Sequence, residues 1–229
     1  MIHTLVATGS QSVQINFKNS LSKPSDSILI ILAVAVLAVA PAAIIMLTGF
    51  TRIVVVLSLT RNALGLQTIP PNQIIAGLAL FLSLFVMAPT LSAMNHAALQ
   101  PYMNGQITTS QAIEKAEVPL RTWMLKQTDS SELQLMAGAA HENPKKPDQV
   151  SLIAVIPAFV LSQLQSAFII GFVVFVPFLI IDLVVSATLM SMGMMMLPPT
   201  LVSLPFKILL FVMIDGWTLI AHSLLTSFR

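Results

Sequence analysis

The feature that most constrains this chain is a set of apolar runs too long for a water-soluble fold. From Ile28 to Leu47, twenty consecutive residues carry no charged or hydrogen-bonding side chain. At about 1.5 Å rise per residue, a helix of that length spans the roughly 30 Å of bilayer hydrocarbon. Four apolar stretches follow one another: Ile28 to about Phe50 with Pro41 inside it, Ile74 to about Met94 with Pro89 near its end, Leu152 to about Ile181 with Pro157 and Pro177, and Leu183 to Leu225 interrupted by Leu197-Pro198-Pro199. Only 9% of residues are charged, against roughly 25% in soluble domains, so the chain lacks the polar surface to coat itself in water. The fold class expected is all-α: membrane-associated helical hairpins with bent, proline-broken helices.

This pattern divides the chain into a polar N-terminal segment 1–27, a first hydrophobic hairpin 28–94, an extramembrane helical insertion 95–150 and a second hydrophobic hairpin 151–229. The N-terminal segment does not read as a signal peptide, because no basic n-region runs directly into a short apolar core. The insertion carries Lys115, Arg121, Lys126, Lys145 and Lys146 against Glu114, Glu117, Asp129, Glu132, Glu142 and Asp148. Within it, Asp129 followed by Glu132 predicts a capping box opening a helix through Leu133 to Ala140. Pro119 predicts the start of a separate short helix, and Asn143 to Pro147 a break before the third apolar stretch. The short link between the first two stretches holds Arg52 and Arg61 and no acid. By the positive-inside rule that link faces the cytoplasm and the insertion faces out.

Several chemistries are excluded. There are no cysteines, so disulfides, thiol nucleophiles and thiolate metal sites are absent. The basic residues are scattered at a net charge of +2, which argues against nucleic acid as a partner. His3, His96, His141 and His222 are dispersed without metal-ligand spacing, and no phosphate-binding glycine loop or nucleophile elbow occurs. No cofactor is implied.

What remains are polar groups inside the apolar stretches: Gln163 and Gln165 in the third, Asp182 at the third–fourth junction, and Lys207 and Asp215 in the fourth. A charge at mid-bilayer costs at least ~2.5–3.5 kcal/mol, so each needs a partner or water. Asp182, Lys207 and Asp215 fit either an ion relay, as in a small-solute transporter or channel, or a structural ion pair joining helices or subunits. Asp182 and Asp215 are the sole candidates for an intramembrane hydrolase dyad, and neither lies in a recognisable motif. Ser191 to Pro199 is the most unusual segment, with Met194, Met195 and Met196 in a run at a bend. Methionine is unbranched and polarizable, and the run fits either gap-filling in a membrane core or a flexible apolar loop that seals a pore.

Thr48-Gly49-Phe50-Thr51-Arg52-Ile53 through Leu59, Arg61-Asn62-Ala63-Leu64-Gly65, Pro70-Pro71-Asn72-Gln73, Ile181-Asp182-Leu183, Met190 through Pro199, Leu204-Pro205-Phe206-Lys207 and Ile214-Asp215-Gly216-Trp217 together resemble the signature of the FliP family. The likeness runs from Ile28 onward and fits the flagellar branch better than the related injectisome subunits. It implies a non-enzymatic subunit of the flagellar type III export gate, a pentamer assembled with FliQ-like and FliR-like subunits beside FlhA-like and FlhB-like components. It also implies a place in the bacterial inner membrane at the flagellar basal body, with the insertion 95–150 periplasmic, unfolded flagellar subunits as passengers and membrane lipid around it. Met194 to Met196 would match that family's gasket around a closed pore. Members commonly carry Ser-Glu-Leu-Lys where this sequence has Ser162-Gln163-Leu164-Gln165, which removes a possible acidic partner for Lys207.

Overall fold

The computed structural model describes residues 24–142, 146–194 and 196–228, and every regular element among them is helical. Most of the polar N-terminal segment, and Asn143 to Lys145 of the expected break, lie outside the described residues. The chain divides between Ala43 and Ile44 into two units. The first contains most of helix α1, Pro24–Leu47, which runs through Pro41 without interruption and exposes Ile31, Val34, Leu37 and Val39. The second, from Ile44 onward, holds all that follows.

At the centre of the second unit lies α2, Phe50–Ala63. The expected link is therefore a helix, and it is the most enclosed one: Ile53, Val56, Leu57 and Ala63 are all buried. Those residues recur at i, i+3 and i+4, the period of a helix face turned to a core. Arg52 and Arg61 near its ends give the segment the polarity of a connection, although the residues between them carry the helical period. Two glycines permit the packing around α2. A Cβ on Gly171 would collide with Leu59, and one on Gly49 would press into the Phe228 ring at 2.8 Å.

Helix α3, Asn72–Met94, continues through a π-helical turn at Asn95–Leu99 into α4, Gln100–Met103, making one 32-residue helix. Helix α5, Thr109–Lys126, opens with a capping box: Gln111 N donates to Thr108 Oγ1 at 3.5 Å and Thr108 N to Gln111 Oε1 at 3.0 Å. Pro119 lies inside α5 rather than starting a helix. The helix is initiated by the Thr108 cap, and the proline removes one amide donor without ending it. Helix α6, Ser130–Ala139, has the expected Asp129 cap, which accepts from Ser131 N at 3.1 Å. The box with Glu132 does not close, because Asp129 N donates to Ser162 Oγ at 2.9 Å and Glu132 instead accepts from Ser131 Oγ.

After a 3-10 turn at Pro147–Gln149, α7 runs unbroken from Leu152 to Ser191. Its 40 residues make about 60 Å of helix, twice the hydrocarbon thickness, so it cannot lie wholly within one perpendicular crossing. Pro157 and Pro177 lie inside it, and the expected division between third and fourth stretches at Asp182 does not exist. Helix α8, Pro199–Met213, returns along α7, and a 63° bend at Ile214-Asp215 leads into α9, Gly216–Thr226.

One core gathers α2, α3, α7, α8 and α9, and a second packs α5 and α6 over the first turns of α7 through Met124, Leu133, Ala158 and Phe159. Among the described residues, two helices, Asn72–Met103 and Leu152–Ser191, are long and apolar enough to cross a membrane, and only 22% and 11% of their most apolar windows are buried within the protein. Two bent pairs, Pro41–Leu47 with Phe50–Ala63 and Pro199–Met213 with Gly216–Thr226, raise the number of possible spans to four. Apolar surface left open on this scale is covered by lipid or by other chains.

Candidate functional site

The polar groups inside the apolar helices do not form one constellation. Asp182 on α7 and Lys207 on α8 meet: Lys207 Nζ donates to Asp182 Oδ2 at 2.6 Å and to the carbonyl of Ala63 at 3.2 Å. Ser203, one helical turn before Lys207, donates its hydroxyl to Asp182 Oδ1 at 2.6 Å. Ala63 is the last residue of α2, where carbonyls lack helical partners and the macrodipole is negative, so the ammonium caps that end. Lys207 is only 4% exposed. Its charge is tolerated because carboxylate and carbonyl replace the water it lost. The pair ties α2, α7 and α8 together, which is the structural reading of these residues.

Asp215 takes no part. It is exposed at the α8–α9 bend with left-handed backbone, φ 50°, and among the described residues no hydrogen bond or ion pair joins it to Asp182. The two aspartates are therefore not assembled as an acid–base dyad. Gln163 and Gln165, two residues apart on α7, point to different sides. Gln163 is fully enclosed, donating from Nε2 to the carbonyl of Gln127 at 3.2 Å and leaving Oε1 without a partner, whereas Gln165 is exposed. Lys207 thus finds its acid at position 182 and not at 163.

Arg52 and Arg61 have different surroundings. They stand nine residues apart on α2, about 14 Å along its axis. Arg61 closes the α2–α3 connection through Pro70 O at 3.2 Å and Asn72 Oδ1 at 2.6 Å. Arg52, 3% exposed, donates to Ser227 O at 2.8 Å and to Gln127 Oε1 at 3.3 Å, and its guanidinium lies 4.2 Å from the centre of the Phe228 ring. Gln127 follows α5, inside the insertion read as facing out, so Arg52 shares an end of the molecule with that insertion. The positive-inside rule counts exposed loop charges, and Arg52 is a buried helical one. Nothing local in the sequence announces its contacts with Gln127, Ser227 and Phe228, which are 75 to 176 positions away. An arginine inside an apolar run was the one available hint.

The methionine segment is the tip of the α7–α8 hairpin. Gly193, at φ 74°, closes α7: its amide donates to Met190 O at 3.1 Å and that of Met194 to Leu189 O at 3.0 Å, the paired bonds of a Schellman motif. Pro198 and Pro199 then open α8. Met192, Met194 and Met196 are exposed, Met196 at 98%; Met195 lies outside the described residues.

Long helices with apolar outer faces, charges neutralised inside, and a hairpin tip offering methionines rather than burying them define an all-α membrane protein. Sequence comparison specifies which. The chain matches the FliP family over residues 33–224. It is 51% identical to the flagellar biosynthetic protein FliP of Bacillus subtilis, covering 89% of this chain and 93% of that protein. It is 52% identical to the Pectobacterium carotovorum protein of the same name over 82% of this chain and 73% of the relative. The Caulobacter vibrioides protein is 44% identical over 97% of this chain and 84% of its own length. The chain belongs to the FliP family.

Proposed function

We propose that this chain is a core subunit of the flagellar protein-export gate, through which unfolded flagellar subunits cross the bacterial inner membrane during flagellum assembly. The observation that carries this reading is the α7–α8 hairpin, which presents exposed methionines at its tip in a chain similar along most of its length to flagellar biosynthetic proteins. Unbranched thioethers fill an irregular closure and yield to passengers of varied shape. Met194, Met195 and Met196 form the gasket of the closed pore. The open apolar flanks of α3 and of the later part of α7, at Leu179, Ile180, Leu183 and Val184, are contact surfaces for further copies, making a pentamer, and for FliQ-like and FliR-like subunits. FlhA-like and FlhB-like components stand beside this assembly in the basal body. The role is structural and gating, without catalysis.

The small-solute transporter reading gains no support, since Asp182 and Lys207 satisfy one another and Asp215 stands apart from them. The test is native mass spectrometry of the detergent-extracted chain, alone and co-expressed with FliQ-like and FliR-like subunits. A discrete oligomer that takes up both supports the gate. A monomer or dimer indifferent to them sinks it.

A further inference from the structure

Among the described residues, a cavity of opposite character accompanies the apolar grooves. About 320 Å³ in volume, it opens where α5 and α6 meet α7, and is lined by Arg52, Lys126, Thr128, Asp129, Gln165 and Ser166 among others, almost all polar. Two cations and one acid face it. The acid is engaged elsewhere: Asp129 accepts from Ser131 N and Ser131 Oγ at 3.1 Å each and from Ser130 Oγ at 3.5 Å, all in the first turn of α6. Neither cation has a carboxylate, as the ion pairs among the described residues are Glu117–Arg121 and Asp182–Lys207. Arg52 is buried; among the described residues it meets neutral oxygens and the face of the Phe228 ring, and its Nε has no acceptor. A buried guanidinium met by neutral oxygens and a ring face has no full counter-charge, and an outside anion can supply it.

A second observation indicates the anion's carrier. Ile169 forms the apolar edge of the cavity. From Gln165 the sequence of α7 continues at helical spacing through Ile169, Phe172, Val173 and Val176, all exposed. That stripe is about 16 Å long, roughly one leaflet of hydrocarbon. A polar, cationic pocket continuous with an apolar track one acyl chain long matches an amphiphile better than a free ion.

We propose that this cavity binds the phosphate of an anionic phospholipid, Arg52 and Lys126 meeting its charge and Gln165 and Ser166 its oxygens, while an acyl chain follows Ile169, Phe172 and Val173 down α7. The lipid fastens the α5–α6 insertion to the long helix at the edge of the bilayer. The assignment is independent of the export function.

The full chain in mild detergent is titrated with phosphatidylglycerol, phosphatidylcholine or sodium phosphate, with retained adducts read by native mass spectrometry. Phosphatidylglycerol is expected to be retained at least tenfold better than phosphatidylcholine. Lys126→Gln, an exposed change, lowers retention about fivefold, and Val173→Ser lowers it without altering the charge preference. Arg52→Gln lowers it further; circular dichroism checks that this variant is folded, and Lys126→Gln carries the test if it is not. Equal retention of the two lipids, or full retention by Lys126→Gln, overturns the proposal and leaves the cations for a carboxylate of a protein partner. Competition by inorganic phosphate at lipid concentrations overturns the lipid as carrier.

Discussion

Replacing Lys207 with methionine removes the ammonium that joins Asp182, Ser203 and the end of α2, while keeping most of the side-chain volume. Asp182 retains the Ser203 hydroxyl at 2.6 Å but loses its counter-charge, and the carbonyl of Ala63 loses its donor. Breaking a buried ion pair from one side costs about 3–5 kcal/mol. Here the Asp182 side chain is 30% exposed, so water recovers part of that and we expect about 2–3 kcal/mol, or roughly a 30- to 150-fold loss in the folding constant. Asp182→Leu should cost a similar amount by stranding the enclosed ammonium. The double change, Asp182→Leu with Lys207→Met, should lose far less than the sum, since no charge remains to be desolvated. The assay is reversible unfolding in mixed micelles, followed by helical circular dichroism and analysed as a double-mutant cycle. Single changes within about 0.5 kcal/mol of the parent, or strictly additive losses, would refute the claim that this pair joins the three helices.

Other expected outcomes are independent of the pair. Changing Met194, Met195 and Met196 to alanine should leave the complex assembled but make membranes containing it leak small ions; unchanged conductance removes the gasket. Gly171→Val should destabilise the fold by about 1–3 kcal/mol, because the new side chain meets Leu59. Gly77→Ala, with nothing within 4 Å of the added carbon, should be neutral or stabilising by up to about 1 kcal/mol; both are read from unfolding midpoints. Glu142 is held below its ordinary carboxylate range by hydrogen bonds from Ser151, its carboxylate accepting from Ser151 N at 2.9 Å. A depressed carboxylate contributes stability above its unfolded value, near pH 4, and loses it as pH falls through the folded value. Glu142→Gln should therefore flatten the acid side of the stability profile, and an unchanged profile would discount that bond.

The sequence alone determined the class of this protein. Twenty apolar residues from Ile28 and a charged fraction of 9% leave no soluble alternative, because that much hydrocarbon surface cannot be hydrated. Gly193 and the two prolines after it placed the hairpin tip, since a left-handed stop and a proline start act through local backbone geometry. Tertiary structure decided the rest. Whether Phe50–Ala63 is a connection or a core helix depends on α7 and α3 lying against it, and Pro119 and Pro177 were overruled by helices initiated and packed on either side. Which acid serves Lys207 turns on how α8 folds back on α7, bringing residues 25 positions apart to 2.6 Å and leaving Asp215 outside. Local sequence carries propensities of a few kcal/mol at most. The partners of a buried charge are chosen by which helices pack together, and that choice is written over the whole chain rather than at the residue itself.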